Sequence, residues 1–213
     1  MSDLYQVPAV GRTIPRYEIS FVIPTIAPRH SMLCRAVDSI REQTVRPGTV
    51  HVVEDTNHDG AARTRQRGLE AVNTPWVMFL DDDDALMPQH VQRCIEHQSA
   101  TGADYVFPWF MIKDVVGGEH PEWDPFPMEF GTPWSNDKPR QTTITTLVRT
   151  ELAKAVGFTS PPPDRFVDGQ IWGEDYTFTL GIMANGGVIS HLPERTWWWY
   201  HHGKNTSGQP TRW

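Results

Sequence analysis

Five apolar residues, Trp76-Val77-Met78-Phe79-Leu80, run straight into four carboxylates, Asp81-Asp82-Asp83-Asp84. An uninterrupted apolar run of this length predicts a strand buried on both faces, as inside a parallel sheet covered by helices. The carboxylates end it. Four adjacent negative charges cannot enter a dry core, so they belong at a strand end that faces water or a cation. Charges this close repel, and a bound divalent ion relieves them. A solvated acidic turn is the plainer alternative.

The chain around this run decides between the two. Glu18–Ile23 reads as a first strand closed by Pro24, and Ser31 as the cap of a helix carrying Leu33, Ala36, Val37 and Ile40 at helical spacing. Val50–Val53 reads as a second buried strand, and Ala61–Val72 as a second helix. Alternating strands and helices with short connections predict parallel strands joined by right-handed crossovers. All C-terminal strand ends then share one edge, so Pro24-Thr25, Glu54-Asp55 and Asp81–Asp84 converge where open α/β sheets bind ligands.

Further on, Pro88 opens a helix through Gln98, and Asp104–Phe110 reads as a strand. Residues 117–140 interleave five prolines with Trp123, Phe126, Phe130 and Trp134. A loop this long is either functional or packed by its own rings. Thr142–Val148 reads as a strand, Thr150–Val156 as a short capped helix, and Pro161–Pro163 as a loop. Gly173-Glu174-Asp175 opens a helix that Asn185-Gly186-Gly187 ends, and strands Val188–Leu192 and Thr196–His201 close the chain. Trp197-Trp198-Trp199 alternates across the last strand, so its rings divide between core and an exposed face suited to stacking. Cys34 and Cys94 fall in apolar helical phase and read as small core residues. A net charge of −7 argues against a chain held to nucleic acid by its overall charge. Without a signal peptide or an apolar run near the roughly 20 residues of a membrane span, the expectation is a cytoplasmic protein with no transmembrane segment.

The ordered motifs Ile19-Ser20-Phe21-Val22-Ile23-Pro24-Thr25, Val52-Val53-Glu54-Asp55 and Phe79-Leu80-Asp81-Asp82-Asp83-Asp84 together resemble the nucleotide-sugar half of the inverting family 2 glycosyltransferases. Ala62-Arg63-Thr64-Arg65-Gln66-Arg67-Gly68-Leu69 resembles that family's Ala-Arg-Asn-x-Gly-Leu segment, with Gln66 in place of Asn. Gly157-Phe158, Gly173-Glu174-Asp175 and His202-Gly203-Lys204-Asn205-Thr206-Ser207 resemble its acceptor-side and terminal motifs. The segment between Asp55 and Ala61 is shorter than in most relatives. The resemblance implies a single α/β GT-A domain with a mostly parallel, Rossmann-like sheet flanked by helices. It would span 18–207, with a nucleotide-sugar half at 18–110 and an acceptor half at 111–207, between an irregular lead-in at 1–17 and a tail at 208–213.

The same resemblance implies transfer of a sugar from a nucleoside diphosphate, with inversion, to a hydroxyl of a protein, glycan, small molecule or modified nucleobase. Hard carboxylate oxygens suit Mn²⁺ or Mg²⁺. Asp83 is the expected direct ligand, with His202 or His201 beside it; either histidine could equally be a solvated tail residue. Asp81 is expected at the ribose or a metal-bound water, and Asp84 either at the same loop or capping the next helix. Pro24, Thr25, Glu54, Asp55 and Asp82 are expected to line the nucleotide pocket. Asp55 is placed to accept an N–H such as that of uracil, which favours a UDP-sugar, although guanine and thymine present one too. Arg65 either contacts the diphosphate or belongs to a solvated helix face. Asp175, with Glu174 beside it, is the candidate general base; a helix-capping carboxylate is the alternative. Trp109, Trp134 and Trp199 are the candidate acceptor contacts. A catalytically silent nucleotide-sugar binder is the competing reading. A nucleotidyltransferase would want a Gly-rich loop where Thr25-Ile26-Ala27-Pro28-Arg29 stands.

Overall fold

The computed structural model describes residues 18–159, 166–167, 170–171 and 173–203. The expected lead-in, the Pro161–Pro163 loop, the tail and Lys204–Ser207 lie outside these residues. The first half follows the alternation: β1 (Ile19–Thr25), α1 (His30–Arg41), β2 (Thr49–Glu54), α2 (Ala61–Ala71) and β3 (Trp76–Phe79). β1 pairs in parallel with both β2 and β3. Pro24 lies beyond the last β1–β3 pair, Val22↔Phe79, so a residue without an N–H interrupts no ladder there. Gly68 lets α2 sit hard against the sheet, because a Cβ at that position would lie 2.4 Å from Val22 Cγ1. α1 begins at His30 with no side-chain cap, so Ser31 does not cap it.

Next come β4 (Ala85–Leu86), α3 (His90–Thr101), β5 (Tyr105–Asp114), β6 (Leu147–Arg149) and α4 (Thr150–Val156). They are followed by the small pair β7 (Phe166–Val167) and β8 (Gln170–Ile171), then α5 (Glu174–Ala184) and β9 (Ile189–His201). The central sheet has the order β2-β1-β3-β6-β5-β9-β4. It is mixed, not mostly parallel: β3–β6, β5–β6 and β4–β9 are antiparallel, while β5–β9 is parallel. The chain leaves β5 through the long loop and re-enters reversed, placing β6 between β3 and β5, which no local periodicity encodes.

Three further expectations are corrected. β2 is an edge strand, and Val52 is 45% exposed, so its apolar run does not report burial. Residues 142–146 are buried for the most part, yet only Leu147–Arg149 joins the ladder; Thr142 instead shares a hydroxyl network with Tyr105 and Thr179. The two closing strands are one. Phe107 pairs with His191 and Trp109 with Arg195, so β9 bulges over Leu192–Glu194 and absorbs Pro193 without ending.

The core gathers on both faces of the sheet, with Phe79, Phe158 and Phe178 clustered at centroid separations of 4.3 to 5.9 Å. Cys94 is buried as expected, whereas Cys34 is exposed. Among the described residues no helix is long and apolar enough to cross a membrane.

Candidate active site

The ends of β1, β2 and β3 meet. Thr25 carbonyl accepts the Asp55 N–H at 2.8 Å, and Thr25 Oγ1 donates to Asp82 at 2.7 Å. The acidic run is therefore not a solvated turn: Asp82 and Asp84 are only 3% and 4% exposed. Each carboxylate has found a partner. Arg29 Nη1 bonds Asp82 at 2.8 Å and Asp83 at 3.2 Å. Arg35 donates to the Asp83 carbonyl and lies 3.7 Å over the Tyr200 ring, while the Tyr200 N–H donates to Asp84 at 3.0 Å. Asp84 thus pins β9 and does not cap α3. His202 Nε2 stands 3.1 Å from Asp83 Oδ2, which brings the residue just past β9 to the cluster.

Asp81, Asp83 and Asp84 can each offer a ligand atom within 4.8 Å of the others. Burial, then the charge of Asp81, raises the Asp83 carboxyl above its ordinary range, and burial with Asp83 and Asp81 raises Asp84 further. That electrostatic stress is what a divalent cation removes, and the donor set of hard oxygens with one imidazole fits Mg²⁺ or Mn²⁺.

Arg65 joins this centre to Glu174 and Asp175. It is buried on α2, on neither a solvated face nor the surface, and ion-pairs with Asp81, with Glu174 at 2.8 Å and with Asp175 at 3.5 Å. Glu174 and Asp175 occupy the first turn of α5. Burial holds the Asp175 carboxyl well above the ordinary range against the opposing pull of Arg65, with Glu174 and Asp81 adding to the rise. Gln66 bonds the Phe158 N–H at 2.9 Å through its Oε1, next to Gly157 at φ +67°, so the segment 62–69 clamps both halves together.

Asp55 accepts N–H groups from Asp59 at 2.9 Å and Gly60 at 2.8 Å, closing the short loop before α2; these bonds and Arg67 hold its carboxyl below the usual range. The Glu54 side chain is exposed. Trp109, Trp134 and Trp199 gather around β5 instead: Trp109 is buried and donates to Asp124 at 2.6 Å, Trp134 packs edge-on to Phe107, and Trp199 edge-on to Phe110. Of the flanking tryptophans, Trp197 is buried and Trp198 lies under the Lys113 ammonium. Arg29, Arg35 and Tyr200 were not singled out by sequence; a basic residue just past a strand end, opposite an acidic run, was the available signal for Arg29.

A model of glycosyl transferase family 2 matches residues 35–151. No curated protein matches the sequence. Among solved structures, TarS 1–349 of S. aureus in complex with UDP is 18% identical with a TM-score of 0.64, covering 86% of this chain and 60% of that one. The same protein in complex with UDP-GlcNAc is 17% identical with a TM-score of 0.66, covering 88% of this chain and 59% of that one. The chain therefore spans about 60% of the length of these neighbours, and at such identities the likeness is one of fold.

Proposed function

The chain belongs to glycosyl transferase family 2, and from that premise we propose that it moves a sugar, with inversion, from a nucleoside diphosphate sugar, a UDP-sugar foremost, to an acceptor hydroxyl. One observation carries this reading: Arg65 ties the strand-end carboxylate Asp81 to Glu174 and Asp175, so a donor-side acidic centre and a candidate base share one buried cation. The nucleotide-sugar half is 18–110 and the acceptor half 111–207.

Asp83, with Asp81, Asp84 and His202 around it, would hold Mn²⁺ or Mg²⁺, which would supply positive charge to the leaving diphosphate. The rest is the work of the chain. Asp55 reads an N–H of the base with the lone pairs its loop contacts leave over, while Pro24, Thr25 and Glu54 border the pocket at the strand ends. Asp82, spent on Thr25 and Arg29, keeps the strand ends in register and orients Asp83. Asp175 takes the proton of the acceptor hydroxyl, and the oxygen attacks the anomeric carbon opposite the diphosphate, whose bond to that carbon breaks with the electron pair leaving on the diphosphate oxygen. A base must be ionised yet willing to take a proton: burial makes the Asp175 carboxylate readier to take one, while the facing Arg65 guanidinium favours its ionised form. Arg65, which ion-pairs with Asp175 at 3.5 Å, orients it.

Titration calorimetry with UDP tests the donor side. Binding is expected in Mn²⁺ and to fall at least about tenfold in excess EDTA or in Asp83→Ala. Equal affinity in all three would overturn the metal assignment. UDP binding without turnover of any UDP-sugar would instead favour a silent relative.

A further inference from the structure

A cavity of about 650 Å³ opens beside α5, walled by the 126–141 segment. That volume suits a single compact ligand. Its lining includes Phe126, Met128, Pro133 and Tyr176, with Lys138 and Arg140 as its cations. Tyr176 directly follows Asp175 in the first turn of α5, so the cavity lies one residue along that helix from the candidate base. Trp134 lies behind the wall against Phe107, while its neighbours Pro133 and Ser135 line the space.

The two cations differ. Arg140 is a strut: its Nη1 bonds the Glu129 carboxylate at 2.7 Å and the Glu129 carbonyl at 2.9 Å, and its Nη2 bonds the Thr132 carbonyl. Glu129 offsets its charge. Lys138, which follows the exposed Asp137, is exposed and makes no ion pair among the described residues, so its ammonium is open to an anionic ligand at the cavity rim. A ligand rich in hydroxyls would lose water hydrogen bonds against Phe126, Met128 and Pro133, which Thr132, Ser135 and Gln141 replace only in part. An apolar body loses nothing there, and an anionic group gains Lys138.

We propose that this cavity is the acceptor subsite and that the acceptor is a compact alcohol with an apolar body and an anionic substituent. The inference rests on the glycosyltransferase reading, which supplies the need for a hydroxyl acceptor beside Asp175.

The test compares 4-(hydroxymethyl)benzoate, benzyl alcohol and maltohexaose as probes, with binding followed by ligand-observed NMR on the full chain. The benzoate should bind roughly fivefold tighter than benzyl alcohol, the contrast an exposed charge pair of about 1 kcal/mol produces. Lys138→Glu should abolish that preference, and Phe126→Asp should weaken both aromatic probes, while UDP affinity stays unchanged in both variants. Equal binding of the two aromatic probes, indifference to Lys138→Glu, or preference for maltohexaose would each overturn the proposal with the donor reading intact. Probe binding in a chain that fails to bind UDP would overturn the donor reading and, with it, the assignment of this cavity to an acceptor.

Discussion

Around Asp81–Asp84 every charged side chain has a partner drawn from elsewhere in the fold, whereas between Val115 and Phe130 large apolar side chains face solvent, with Met128 85% exposed. The acidic centre is cross-braced by β1, α1, α2, α5 and β9. The 115–140 segment is tied to β5 and β9 at separate points: Asp124 accepts from Trp109 and from Arg195 at 3.1 Å, Glu119 accepts from Trp198 at 2.7 Å, and the Gly131 N–H donates to His191 at 3.1 Å. Removing a charge from the first region should propagate across the domain. Changing a side chain in the second should act locally, on whatever docks there.

The largest contrast is expected where the two regions meet. Asp175→Asn keeps the shape at the start of α5 and removes the proton acceptor, and Asn caps a helix nearly as well as Asp. Turnover, including donor hydrolysis, should fall roughly a hundred- to ten-thousand-fold, with UDP affinity nearly unchanged by calorimetry. Near-normal turnover would reduce Asp175 to a cap and move attention to Glu174.

Arg65→Met comes next, because it strands three carboxylates. Breaking a buried ion pair costs about 3 to 5 kcal/mol, and partners that are a quarter to a third exposed bring this to about 2 to 4 kcal/mol. Urea unfolding measures it. A loss under roughly 1 kcal/mol would place the centre in the same loosely braced class as the loop.

Two histidines sharpen the comparison through pH. Burial pushes His90 down to about 3, beside Thr196 at 2.8 Å. The unfolded chain then binds a proton that the folded one refuses, so stability is lost as pH falls below about 6.5, by about 1.4 kcal/mol per pH unit. His120, in the loop, is raised by its bonds to Asp114 and Glu122. Its contribution is present below the unfolded value and is lost as pH rises through the raised folded value. Unfolding at pH 5, 6.5 and 8 should show the acid slope flattened in His90→Gln and the alkaline loss flattened in His120→Gln. The opposite assignment of slopes would break the contrast. Smallest of all, Met128→Ser should leave stability within about 0.5 kcal/mol, and a larger loss would mean that the exposed face is packed after all.

Much of the edge where β1, β2 and β3 end was legible in the chain itself. The alternation through β3 follows from local hydrophobic period and turn residues, and right-handed crossovers then oblige Thr25, Asp55 and Asp81–Asp84 to meet. The second half of the chain was less so. An apolar run such as Thr142–Val148 reports burial but not pairing, and the direction of β6 depends on where a long loop returns the chain.

Sequence alone determined the alternating elements, the strand that stops in four carboxylates and the family they resemble, because these depend on neighbours a few positions apart. Tertiary structure decided which charge answers which. Arg65 reaches Asp175 over 110 residues, and the Tyr200 N–H reaches Asp84 over 116. Such pairings set whether a carboxylate is buried, raised or poised as a base, and they follow from the packing of distant segments, on which local periodicity is silent.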